Sequence, residues 1–149
     1  MRFSAKSEYG VRALLEIAMH QAPGPLKVKE ISARQMIPER FLEQVMASLK
    51  KAELVESVRG AQGGYVLARP AGHITLADVI QAVEGPVTLM DCIGKDDESR
   101  CEQVDLCVVR DAWRDVQSTI VEALDSVTIE EMCRRRREKE AQRKHMYHI

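Results

Sequence analysis

The stretch between residues 28 and 68 constrains the fold most. Two runs with helical apolar spacing are separated only by Met36-Ile37-Pro38, and two short alternating runs around a glycine-rich tip follow at once. Residues 28–35 put Val28 and Ile31 on the inner side of a short helix. Pro38 has a preset φ and no N–H, which suits the first turn of the next helix. That helix spans about residues 38–52, with Phe41, Leu42, Val45, Met46 and Leu49 on one face. Glu39, Arg40, Glu43, Gln44, Ala47 and Ser48 form the opposite face. Residues 54–58 alternate as a strand does, Gly60-Ala-Gln-Gly-Gly64 is a flexible tip, and Tyr65-Val-Leu67 returns.

Around this unit the pattern is helical. Residues 4–19 repeat apolar side chains at three- and four-residue spacing (Tyr9, Ala13, Leu14, Ile17, Ala18), and Ala22-Pro-Gly-Pro25 ends the run. Thr75-Leu-Ala-Asp78 caps a helix carrying Val79, Ile80 and Val83, which Gly85-Pro86 stops. Residues 91–106 read as an acidic loop. A long helix is expected over about residues 104–124, with Val109, Trp113, Val116, Ile120 and Leu124 in one stripe. No helix of similar size is expected after it, so the stripe points to pairing with a second copy. Thr128-Ile-Glu-Glu131 caps a last short helix, and a charged, frayed tail follows. The expected class is mainly α with a small β-hairpin wing. Its parts are a winged helix-turn-helix domain over residues 1–70, a cysteine loop and dimerisation helix over 71–133, and a basic flexible tail over 134–149.

Charge is segregated along the chain. Residues 1–70 carry 11 Lys/Arg against 7 Asp/Glu, residues 71–133 carry 4 against 14, and residues 134–149 carry 7 against 2. A polyanion is therefore attracted to the first half and repelled by the middle. No apolar run approaches the roughly 18–20 residues of a membrane span. The N-terminal residues lack the apolar core of a signal peptide, so the reading is cytoplasmic with no membrane partner. No Ser/His/Asp set, carboxylate pair or phosphate loop appears, which argues against an enzyme.

The second helix of a helix-turn-helix can lie in the major groove of double-stranded DNA. Arg40 and Gln44 stand one turn apart on the outer face, suited to guanine and adenine edges, and Glu43 can accept from cytosine. Arg59, beside Gly60, suits the narrow minor groove, and Gly63 and Gly64 allow close backbone approach to phosphate. The bland alternatives are a solvated helix face and an ordinary glycine turn. The basic cluster Arg134 to Arg137 with Arg143 and Lys144 reads as a solvated run or a further contact.

Four cysteines are too few for a disulfide scaffold. Cys92-x8-Cys101-x5-Cys107 brings three thiols into one loop. Zinc favours a close cysteine pair and a fourth N or S ligand, whereas iron–sulfur clusters take thiolates at wider spacing. The alternative is three unrelated thiols. Cys133 stands apart and reads as packed or free.

Together these segments resemble the Rrf-two family of bacterial transcription regulators, in its IscR- and NsrR-like, iron–sulfur cluster type. The likeness runs to about residue 133. It is carried by Tyr9-Gly-Val-Arg-Ala-Leu14, Phe41-Leu-Glu-Gln44, Leu54-Val-Glu-Ser-Val-Arg-Gly60, Gly63-Gly-Tyr65 and Ile74-Thr-Leu-Ala-Asp-Val-Ile80. Residues 87–107 and Trp113 are also similar. The resemblance implies a homodimer, formed through the long helix, on a two-fold DNA operator. It places Glu43, Gln44 and Arg59 at groove contacts. It makes Cys92, Cys101 and Cys107 ligands of a 2Fe-2S or 4Fe-4S cluster, the first interval being three residues longer than in IscR. One branch completes the site with a His three residues after the third Cys, where this chain has Arg110, which cannot ligate. Another branch uses a carboxylate from the partner's first helix, and Glu8 occupies that place. The alternatives are Asp91, Glu102, Asp105 or a small molecule, with Glu8 merely solvated. The expected function is a cluster-controlled regulator. The competing readings are a cluster-free regulator sensing thiol oxidation or a protein partner, and an iron–sulfur carrier.

Overall fold

Helix α1 (Ala5–Met19) starts where the Ser4 hydroxyl accepts the Lys6 N–H, and buries Ala13, Leu14 and Ile17. The computed structural model of the chain describes residues 2–94 and 104–146. Helix α2 (Val28–Gln35) buries Ile31 and ends at Met36 in the left-handed conformation. Helix α3 (Glu39–Lys51) turns Leu42, Val45, Met46 and Leu49 inward. Each such fully buried aliphatic side chain contributes about 1.5–3 kcal/mol. Tyr9 of α1 meets Phe41 of α3 edge to face, with centroids 5.5 Å apart.

Strand β1 (Val55–Val58) pairs antiparallel with β2 (Gly64–Leu67), in register from Val55 opposite Leu67 to Val58 opposite Gly64. Leu26 joins their edge: its N–H donates to the Tyr65 carbonyl at 3.0 Å, and the Tyr65 N–H donates back at 2.8 Å. The hairpin is thereby fastened to the α1–α2 connection.

Helix α4 (Leu76–Glu84) opens on a reciprocal Thr75–Asp78 cap. It lies close against α1, since a Cβ on Gly10 would stand 3.1 Å from a Val79 methyl. An isolated antiparallel bridge between Thr75 and Thr128 ties the start of α4 to the start of the last helix. One apolar cluster contains Leu14, Leu42 and Leu54 together with Ile74, Val79, Ile129 and Cys133, so residues on both sides of position 70 share a core. Among the described residues no helix is long and apolar enough to cross a membrane.

Two helices differ from expectation. Helix α5 (Val108–Asp125) begins later than residue 104, because Cys107 is its non-helical N-cap and residues 104–106 form a separate 3-10 turn. Helix α6 (Ile129–Met146) is as long as α5, eighteen residues each, and continues through most of the segment expected to fray. Its register explains the extension. Arg134 pairs with Glu131 and Glu138, Arg135 with Glu131, and Arg136 with Glu140, all at three- or four-residue spacing. α6 packs along α1, whereas α5 packs on α4 and the Asp91–Ile93 turn. The α5 stripe stays open even with a second long helix present: Val109, Trp113 and Val116 are 56%, 43% and 46% exposed.

Candidate nucleic-acid interface and cysteine site

The outer face of α3 follows from its inner one. With Leu42, Val45, Met46 and Leu49 buried, the helical period turns Arg40, Glu43 and Gln44 outward, and all three are exposed. The Gln44 carbonyl also accepts the Ser48 hydroxyl at 3.3 Å. Arg59 and Gly60 are exposed where β1 ends, and Gly63 and Gly64 lead into β2.

The glycines have an internal reason to be there. Gly60 has φ +112°. A Cβ on Gly63 would lie 2.4 Å from the Val58 carbonyl oxygen, and one on Gly64 would lie 2.6 Å from that of Leu26. Lys27, which the sequence reading passed over, holds the hairpin tip: its Nζ donates to the Ala61 carbonyl at 3.1 Å.

The turn between α2 and α3 is fixed from α1. Arg12 donates from Nε to the Gln35 side-chain oxygen at 2.9 Å, and a second guanidinium nitrogen donates to the Gln35 carbonyl. Ser32 Oγ closes the turn on the Ile37 carbonyl at 2.6 Å. Glu8 is exposed and pairs with Arg12 at 3.2 Å. The amino end of α1 is held by Glu84, whose carboxylate accepts the Ser4 N–H at 2.7 Å and the Ser7 hydroxyl. The Ser7 hydrogen bond holds the Glu84 carboxyl below the usual glutamate range; burial opposes it, and Ser4 and Lys6 add to the lowering.

Of the three spaced cysteines, Cys92 and Cys107 are half-buried free thiols, and Cys101 lies outside the described residues, as does Glu102. Arg110, which cannot ligate, joins the two ends of the loop. It is buried one turn into α5, and its Nε donates to the Cys92 carbonyl at 2.9 Å. Gln117 Oε1 accepts the Leu89 N–H at 2.9 Å, so α5 fastens the same loop twice. Cys107 heads α5, and Cys92 is thus tied to the first turn of that helix. Cys133 is separate, packed in the core, where burial pushes its thiol pKa up.

The thiol pair fits iron–sulfur chemistry in donor type, and the neighbouring Arg110 cation suits a thiolate-bound anionic group. Among the described residues no three His, Cys, Asp or Glu side chains converge as a metal site. Sequence reasoning missed Lys27, Gln35 and the fastening role of Arg110. Their partners lie 18 to 34 residues away, beyond any local periodicity.

Residues 3–135 match the family described as Rrf2: Iron-dependent Transcriptional regulator. The HTH-type transcriptional regulator IscR of Xenorhabdus nematophila is 42% identical over 132 residues, spanning 89% of this chain and 79% of that protein. The solved structure of T. potens IscR superposes with a TM-score of 0.73 at 37% identity, covering 93% of this chain and 90% of the other. CymR (YrzC), the global cysteine regulator of B. subtilis, superposes with a TM-score of 0.71 at 33% identity, covering 89% and 96%.

Proposed function

The chain belongs to the Rrf2 family of DNA-binding transcriptional regulators, and we propose that it acts as a cytoplasmic homodimer on a two-fold operator under the control of an iron–sulfur cluster. The observation that carries the reading is the pairing of an exposed α3 and wing with two free cysteines tied to one helix end. Arg40, Glu43 and Gln44 read base edges in the major groove, and Arg59 enters the minor groove with Gly60, Gly63 and Gly64 allowing close approach. The second copy covers Val109, Trp113 and Val116 on α5, a face that a single chain leaves in water. The division into a reading unit over residues 1–70, a cysteine and dimerisation unit over 71–133 and a basic end over 134–149 belongs to the same proposal.

Cys92, Cys101 and Cys107 hold the cluster, with Glu8 of the other copy as the oxygen ligand. When bound, such a cluster supplies a link between copies that oxidants, nitric oxide or iron shortage can break. Hard oxygen binds iron of this kind more weakly than thiolate, which favours sensing over electron carriage. Glu8 pairs with Arg12, and Arg12 clamps the end of α2 at Gln35. Engaging Glu8 elsewhere therefore changes what holds the helix-turn-helix. A difference of about 3 kcal/mol between the two states would change operator affinity about a hundredfold.

The test is anaerobic purification with iron and sulfide quantitation and absorption spectroscopy, on wild type, Cys101→Ala and Glu8→Ala. The expected result is a coloured wild type, a colourless Cys101→Ala and a Glu8→Ala dimer with a weaker or spectrally altered cluster. A wild type that binds a specific duplex but contains no iron or sulfide rejects the cluster and leaves the thiol-oxidation reading. Val116→Glu with Ile120→Glu should yield monomers by light scattering, and a persistent dimer would move the interface elsewhere.

A further inference from the structure

Among the described residues Glu16, on α1, is the one buried carboxylate, 7% exposed, and neither DNA reading nor metal binding uses it. Groups from two other helices converge on it. Gln35 Nε2 of α2 donates to Oε1 at 2.6 Å, and Arg136 of α6 donates to the same oxygen at 3.0 Å. Arg34 of α2 lies 3.6 Å from Oε2. A carboxylate out of water needs such partners, so their positions are coupled through it.

Gln35 is the last residue of α2. Its amide nitrogen goes to Glu16 and its amide oxygen to Arg12, so both ends of that amide are committed to α1. Met36 follows in the left-handed turn, and α3 starts at Glu39. The pose of the exposed face of α3 therefore depends on how Gln35 is held. Arg136 brings α6 into this arrangement. Ile129 and Cys133 form the buried side of α6, and Arg136, three residues beyond Cys133, continues that side at its edge.

We infer that Arg136 is a positioning residue for DNA binding: through Glu16 it makes the C-terminal helix a strut for the α2–α3 turn, and so sets operator affinity without touching DNA. The inference rests on α3 and the hairpin being the reading surface.

The test uses the full-length chain and a labelled duplex that the wild type enriches from a random-sequence pool. Arg136→Ala should weaken binding about tenfold, with the dependence on salt unchanged. It should also speed amide exchange over residues 36–42. Arg136→Lys, which keeps the cation, should restore most of the affinity. In a Glu16→Gln background, Arg136→Ala should cost no more than about a further twofold, because the two act as one unit. Unchanged affinity, unchanged exchange at the turn, or losses that simply add would each overturn the inference. A salt slope lowered by about one would overturn it too, by making Arg136 a phosphate contact. Arg59→Ala and Gln44→Ala test the surface separately. If they lose affinity while Arg136→Ala does not, the inference alone fails; if neither loses affinity, the reading surface is misassigned and the inference falls with it.

Discussion

Alanine at position 63 would put a methyl group 2.4 Å from the Val58 carbonyl oxygen and 2.9 Å from that of Gly60. A carbon–oxygen contact of this kind normally sits at about 3.3 Å or more, so the Val58 side must open by about 0.9 Å. Both obstructing atoms are backbone, and no rotamer change relieves them. The cheapest escape breaks the bond from the Gly63 N–H to the Gly60 carbonyl, 3.0 Å long, which closes the tip. One lost bond at about 1 kcal/mol, with about 1 kcal/mol of backbone displacement, gives roughly 2 kcal/mol. The strands are four residues each at the edge of the fold, so the cost falls on local opening. Amides in residues 55–67 should exchange about thirtyfold faster in Gly63→Ala, while helix amides in α1 and α3 keep their protection. Gly60→Ala is the comparison. Its Cβ meets nothing within 4 Å, so only its φ of +112° counts against it; the cost should be about 1 kcal/mol and the acceleration several-fold smaller. Hydrogen exchange read by mass spectrometry distinguishes the two. Equal protection in Gly63→Ala and wild type, or a larger effect at Gly60 than at Gly63, would refute the account of the wing.

Met36→Gly should stabilise the chain by about 1 kcal/mol, raising the thermal midpoint by about 3 °C, because glycine suits the left-handed cap. Met36 is 88% exposed with φ 52°, so little packing is lost; a lower midpoint would contradict this. Glu84→Gln should destabilise at neutral pH, with the gap closing in acid. The folded Glu84 pKa is depressed, chiefly by Ser7, so its contribution is complete above the ordinary glutamate value and disappears as pH falls through the depressed one. A gap in urea midpoint that does not change with pH would oppose that assignment. Cys133 should be the slowest of the described cysteines to react with iodoacetamide in the native chain, since burial raises its pKa. Peptide mapping that finds it modified before Cys92 and Cys107 would place it nearer the surface.

Helices α1 to α4 and the hairpin were legible because their determinants are local. Apolar spacing defined the buried sides of α1 and α3, Pro38 and the glycines marked the breaks, and Thr75 with Asp78 marked a helix start. The outward placement of Arg40, Glu43, Gln44 and Arg59 followed from the same periods. The extent of α6 escaped because its polar half has no apolar stripe, and Arg–Glu pairs along its surface support it instead. What joined the parts came only with the tertiary structure. Arg136 meets Glu16 across 120 residues, Ser7 meets Glu84 across 77, and Arg110 meets Cys92 across a loop whose own composition gives no sign of it. A charged side chain looks the same in sequence whether it is solvated or clamped. The packing of α6 and α4 on α1, driven by burial of Ile129, Cys133 and Val79, brings Arg136 to Glu16 and Ser7 to Glu84, and the packing of α5 on the Asp91–Ile93 turn brings Arg110 to Cys92.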